Sequence, residues 1–238
     1  MKIKLYTYII LLFPLIIFSQ IENGIIEYKI IKNDFFDDSK TSSFYSNNIK
    51  EIVKDLVLEL RFNEKDSFFK ALNLKKNNEE DFRQALISSD LLGNYHKIKD
   101  STYVEWYKND SDFGKIIIHY ESELNWELKN ESKIIDGYKC YKATCIITDY
   151  NYIKNPNSEV IVWYCPKIPV KIGPKRLYGL PGLIFEATER GVTLKISKIS
   201  LNTNENFKFE KPFDGKHISP IEYKNMISDY IEEMNKGY

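Results

Sequence analysis

Gly179-Leu180-Pro181-Gly182-Leu183-Ile184-Phe185-Glu186-Ala187-Thr188-Glu189-Arg190-Gly191-Val192 reads as a turn, a strand, a second turn and the start of another strand. Proline presets φ at one central position of a turn and glycine accepts the positive φ of the next, so Pro181-Gly182 predicts a type II turn over Leu180 to Leu183. Leu183 to Thr188 and Val192 to Leu201 follow as extended segments, and Arg190-Gly191 between them suits a tight hairpin. The hexapeptide Gly179 to Ile184 carries no reactive side chain. It is no phosphate-binding loop, which needs a following Lys-Ser/Thr, and no nucleophile elbow, because Leu180 and Pro181 stand where a serine would be. It is therefore read as a structural motif in which Gly179, Leu180, Pro181, Gly182, Leu183 and Ile184 form a rigid turn feeding a core strand.

Upstream, the same alternation recurs. Gly24 to Ile31 sets Ile26, Tyr28 and Ile30 on one face, the period of two of a half-buried strand. Leu56 to Phe62 and Ser67 to Leu72 alternate on either side of Asn63-Glu64-Lys65-Asp66, which predicts a hairpin. Extended segments are also predicted at Thr102 to Tyr107, Gly114 to Tyr120, Asn125 to Ile135, Tyr138 to Asp149 and Val160 to Tyr164, with Asp136-Gly137 as a second tight turn. Helical spacing appears over 48–54, over 78–92 with Gly93 as its stop, and after Ser219-Pro220-Ile221-Glu222, a serine cap with proline at the first position. That last helix aligns Tyr223, Met226, Ile227, Tyr230, Ile231 and Met234 for docking on a sheet, or for closing a cavity as a lid. The fold class expected is mainly β (α+β), a curved antiparallel sheet or half-barrel with a few packed helices.

Lys2 and Lys4 precede an apolar run from Leu5 to Phe18, followed by Ser19, the pattern of a secretory signal peptide over 1–19. The run is too short for a helix across a bilayer, which needs about 20 residues. Residues 20–238 then form a single β-rich domain. Two of the 34 basic residues fall in the leader, leaving 32 against 34 acidic ones, so capture of nucleic acid on a basic surface is not expected. Cys140, Cys145 and Cys165 are an odd number in a compartment where disulfides form. In a strand over 138–150, Cys140 and Cys145 point to opposite faces, so three buried thiols are one reading and a Cys145–Cys165 bridge across the following hairpin is the pairing open to the chain if one forms.

No catalytic residues are assigned. His96, His119 and His217 stand in no catalytic spacing, and Cys140 activated by His119 is the one conceivable nucleophile pair. No metal motif occurs, no cofactor is expected, and Asp110-Ser111-Asp112 reads as a solvated turn. Trp106, Trp126 and Trp163, with 17 tyrosines and 14 phenylalanines, read as core area or as a carbohydrate or peptide platform.

The hexapeptide, together with Asp136-Gly137-Tyr138-Lys139-Cys140-Tyr141-Lys142-Ala143, Val162-Trp163-Tyr164, Ile168-Pro169 and Gly173-Pro174 in that order, resembles the GLPGLI family of exported envelope proteins. The resemblance implies a periplasmic, outer-membrane-associated or secreted protein and supplies no catalytic set. Leu183 to Leu201 followed by Asn206 to Pro212 also resembles the ending of periplasmic lipoprotein carriers, which implies a curved half-barrel. The expected function is a non-catalytic binding or accessory module of the cell envelope, with an apolar or lipid-like ligand or an outer-membrane partner. The alternative is an envelope hydrolase.

Overall fold

The computed structural model describes residues 21–37, 45–106, 114–121, 124–148, 156–212 and 214–236. The leader over 1–19 and the Asp110 to Asp112 turn lie outside the described residues. Twelve strands form one sheet: β1 (Asn23–Asn33), β2 (Val57–Asn63), β3 (Ser67–Leu72), β4 (Asn94–Ile98), β5 (Ser101–Glu105), β6 (Ile116–Tyr120), β7 (Glu127–Ile135), β8 (Tyr138–Thr148), β9 (Asn157–Cys165), β10 (Leu183–Glu189), β11 (Val192–Leu201) and β12 (Lys216–Ile218). The helices are α1 (Asp34–Asp37), α2 (Asn47–Asp55), α3 (Glu79–Ser88) and α4 (Pro220–Lys236). The sheet order is β12-β6-β5-β4-β3-β2-β1-β11-β10-β9-β8-β7, open at both edges. All described strand pairs are antiparallel except β12 with β6. The mainly β, open-sheet architecture is the one the alternation predicts.

Local chemistry sets the turns. Asp136-Gly137 and Arg190-Gly191 both take positive φ (49° and 82°, 48° and 80°), the two-residue hairpin conformation that matches strand twist. At the β2–β3 turn the Asn63 Oδ1 accepts from the amides of Lys65 and Asp66, tying the corner. Helix α3 is capped by the Asn78 side chain, with Glu79, Glu80 and Asp81 in its first turn. It stops at Ser88, earlier than Gly93, because the Leu91 amide turns back to the Leu86 carbonyl. Ser219 and Glu222 form the reciprocal capping box at α4, the Ser219 amide donating to Glu222 Oε2 and the Glu222 amide to Ser219 Oγ.

Directly opposed residues share a face, so the registers through Leu60 and Phe69, and through Tyr28, Ile196, Leu194, Ala187, Val162 and Ala143, trace one apolar surface across the sheet. Tyr28 is fully buried there, its hydroxyl donating to the Ile184 carbonyl at 2.7 Å, which anchors β1 to the end of the hexapeptide. Helices α2 and α3 pack on the largest core cluster through Ile49, Ile52, Val53, Ala85 and Leu86. Helix α4 docks Tyr223, Met226 and Ile227 on Val104, Ile116, Ile118 and Ile218, at the β6–β12 end. Between β11 and β12 the chain crosses the opposite face. Asn63 Nδ2 donates to the Phe207 carbonyl at 3.2 Å, and Lys211 sits 4.7 Å over the Tyr103 ring.

All three cysteines are buried thiols, the first of the two readings, and Cys145 and Cys165 are not bridged. The β8–β9 register places Cys145 opposite Val160, five residues along the strand from Cys165. Cys145 packs with Val160 and Val162 in one core cluster, while Cys165 lies with Cys140 in another.

Candidate functional site

The hexapeptide ends a 17-residue connection, 166–182, that leaves β9 and returns to β10. This connection folds back on itself. Ile172 bridges Tyr178, the Gly179 amide donates to the Lys171 carbonyl, and the Leu183 and Ile184 amides donate to the Ile168 and Ile172 carbonyls. Gly179 has φ +97°, a conformation that suits glycine. Gly182 does not take the positive φ expected of a type II turn: its amide instead donates to the Leu180 carbonyl at 2.8 Å, a three-residue turn centred on Pro181. Glycine is needed there for space, since a Cβ would lie 2.3 Å from the Cys165 carbonyl oxygen. Leu180, Leu183 and Ile184 are buried, whereas Gly179 and Pro181 face outward.

The tip of this connection is held by charge. Lys175, at φ 57°, places its ammonium 2.6 Å from Asp90 Oδ2, just after α3, and 2.8 Å from Glu189 Oε2 at the end of β10. Burial alone would push the Lys175 ammonium down, but the two carboxylates overcome it and hold the group well above its ordinary range. The space beside the triad measures about 30 Å³, room for a single water and not for a substrate. The triad is thus a clamp for the loop.

Beneath the connection opens a cavity of about 1050 Å³. One wall comes from the ends of the β2–β3 and β4–β5 hairpins, with Phe62, Lys65, Asp66, Lys97 and Asp100. The other comes from Leu124, Trp126, Val170, Ile172, Tyr178 and Gly179. Two contacts hold these walls. Trp126 Nε1 donates to the Tyr178 carbonyl at 2.8 Å, and the Lys97 ammonium lies 4.8 Å from the Tyr178 ring centre. Burial pushes the Lys97 ammonium below its ordinary value, against the pull of Asp100 and Asp66. Among the described residues none of α4 lines this cavity; the C-terminal helix docks on the sheet elsewhere, the first of its two expected roles.

A second polar cluster lies on β4–β6. His96 Nε2 is 3.1 Å from Glu105 Oε2, and Lys115 Nζ is 2.6 Å from the other oxygen. Burial lowers the His96 imidazolium despite Glu105; at Glu105, burial favours the neutral acid, but the bonds from Lys115 and His96 prevail and hold its carboxyl below the ordinary range. Both native values are depressed, so both contributions are lost on acidification. Stability falls as pH drops below 6.5, the ordinary histidine value, and further as Glu105 titrates below 4.5. We predict that denaturant midpoints recorded from pH 8 to pH 4 decline over this window, and that His96→Gln flattens the limb between pH 6.5 and about 5. A limb unchanged in His96→Gln would contradict the assignment.

The remaining sequence candidates are not brought together. His119 stacks on Tyr103 at 4.5 Å on β6, near one edge of the sheet, while Cys140 sits on β8 near the other. Neither lines the cavity. Trp106 packs against Tyr223, and Trp163 lies under the Lys133 ammonium, so of the three tryptophans only Trp126 lines the cavity. Among the described residues no three His, Cys, Asp or Glu side chains gather in a metal-binding group, and no helix is long and apolar enough to cross a membrane.

Residues 149–186, which include the connection and the hexapeptide, match Porph_ging, a protein family of unknown function. No curated protein matches the chain. Two solved structures of PNGF-II, in the P21 and C2 space groups, are similar to it at 13% identity, with TM-scores of 0.51 and 0.52. The similarity covers 87% of this chain but only 33% and 32% of those chains, so this protein spans about a third of their length. At this identity the likeness is one of fold.

Proposed function

We propose that this chain is a non-catalytic binding module of the cell envelope that takes an amphipathic, lipid-like ligand into the cavity beneath the 166–182 connection. The observation that carries this reading is the cavity's lining. Phe62, Leu124, Trp126, Val170 and Ile172 offer an apolar wall, while Lys65, Lys97 and Lys171 stand among Asp66 and Asp100. A site of this size, apolar with a few convergent charges, matches the general character of small-molecule pockets. Export is supported by the Lys2-to-Ser19 leader pattern, and membership of the GLPGLI family by the hexapeptide in its setting.

Native mass spectrometry of protein isolated from envelope extracts tests the proposal. The wild-type protein should carry a reproducible adduct in the mass range of a lipid, and Val170→Trp, which puts a bulky indole in the cavity wall, should reduce its occupancy roughly tenfold, the equivalent of 1.4 kcal/mol of affinity. Adduct-free wild-type protein, or equal occupancy in a well-folded Val170→Trp, would overturn it.

A further inference from the structure

Trimming the sheet to its β7–β10 end leaves one pair of nucleophilic groups with no role in the cavity. The β8–β9 register runs Tyr141↔Tyr164, Lys142↔Trp163, Ala143↔Val162, and its next step sets Cys140 directly opposite Cys165. The neighbouring pairings agree, with Lys133 beside Cys140 on β7 and Leu183 beside Cys165 on β10. Opposed residues of an antiparallel pair have Cα atoms about 4.5–5.5 Å apart, inside the span of about 4.4–6.8 Å that a disulfide bridges. Both side chains are fully buried in one core cluster, and the two thiols interact. Cys145, on the other face of β8, has Val160 opposite it.

We propose that Cys140 and Cys165 are a disulfide-forming pair, a modification site that staples β8 to β9 where β9 passes into the 166–182 connection. Each thiol gives up a proton, the pair gives up two electrons, one S–S bond forms, and a small-molecule or protein disulfide is reduced to two thiols. Place and timing follow from burial. The Cys165 carbonyl packs against Gly182, so the bridge fixes the base on which the hexapeptide sits. In the folded, reduced protein burial, reinforced by the Cys165 thiol, pushes the Cys140 thiol up to about 12, leaving almost no reactive thiolate at neutral pH. Oxidation therefore accompanies folding or local opening, and the finished bridge is shielded from reductant. The chemistry is consistent with an exported chain but does not depend on the ligand proposal.

The test is a disulfide map. Trypsin cuts after Lys139, Lys142, Lys154 and Lys167, so the three cysteines fall on three separate peptides. Reduced protein is refolded in oxidised and reduced glutathione, alkylated and digested without reductant. A parallel sample is never fully unfolded, only held in mild denaturant with oxidised glutathione, so a failure to refold does not spare the proposal. The expected product joins the Cys140 and Cys165 peptides at a mass two hydrogens below their sum, with Cys145 alkylated alone. Cys145→Ala should give the same linked peptide. Three singly alkylated peptides in both samples, or a bridge containing Cys145, would overturn the assignment.

Discussion

Lys175→Ala lowers the free energy of unfolding by about 3–5 kcal/mol, because it leaves two buried carboxylates facing each other without their cation. Asp90 and Glu189 are 13% and 8% exposed, so water cannot replace the ammonium. The sign of the pH dependence is fixed by the direction of the lysine's shift. A cation held above its ordinary value stabilises the fold fully at any pH below about 10.4 and loses that contribution only as pH rises through the raised native value. Wild-type protein therefore shows no Lys175-dependent change across the neutral range. Urea unfolding of Lys175→Ala at pH 7 reads the loss directly. Replacing all three charges together, with Lys175→Met, Asp90→Asn and Glu189→Gln, should recover most of the stability. A single substitution costing less than about 1 kcal/mol at pH 7 would show that the clamp is solvated rather than buried.

Gly182→Ala is the second large effect, a loss of about 3 kcal/mol from a single added methyl group. Its Cβ would stand 2.3 Å from the Cys165 carbonyl oxygen and 2.7 Å from the Pro166 nitrogen, all backbone atoms that no rotamer change can move aside. Relief requires the connection to lift from β9, which strains the Leu183 amide bond to the Ile168 carbonyl. Gly179→Ala is the internal control. Its Cβ makes only ordinary van der Waals contact, the nearest atom being Trp126 Nε1 at 3.9 Å, and it bears the cost of a positive φ, about 1–2 kcal/mol. Thermal or urea midpoints of the two variants should differ in that order, and the reverse order would refute the steric account.

These two residues mark where sequence reading stops. The hairpins around Asp136-Gly137 and Arg190-Gly191 were legible, because both the turn and the alternation on each side are local properties of the chain. β4 was not. Asn94 to Ile98 is half-buried at every position and shows no alternation to detect. β12 is three residues long and pairs in parallel with β6 across a long crossing, a partnership that no local signal encodes.

The site was less legible than the fold, for the same reason. Pro181-Gly182 has the local signature of a type II turn, but the conformation it adopts is set by the Cys165 carbonyl packed against it from another strand. Cys140 and Cys145 face opposite ways, as the period of two predicts, yet the partner of Cys165 depends on hairpin register, which residue types alone leave open. Lys175, in a Gly173-Pro174-Lys175-Arg176 turn, has the composition of a solvated corner. Its burial follows from where α3 and β10 end. The cavity is assembled from segments as far apart as Phe62 and Tyr178, so only the folded chain reveals it.

The central claim is that this cavity is a ligand site, and the most direct measurement is a crystal structure of the protein isolated from its native envelope without refolding. Continuous electron density for an amphipathic molecule should lie between Phe62, Trp126 and Tyr178, its charged end toward Lys97 or Lys171. A cavity holding ordered water alone, in protein with an intact Lys175 clamp, would contradict the account.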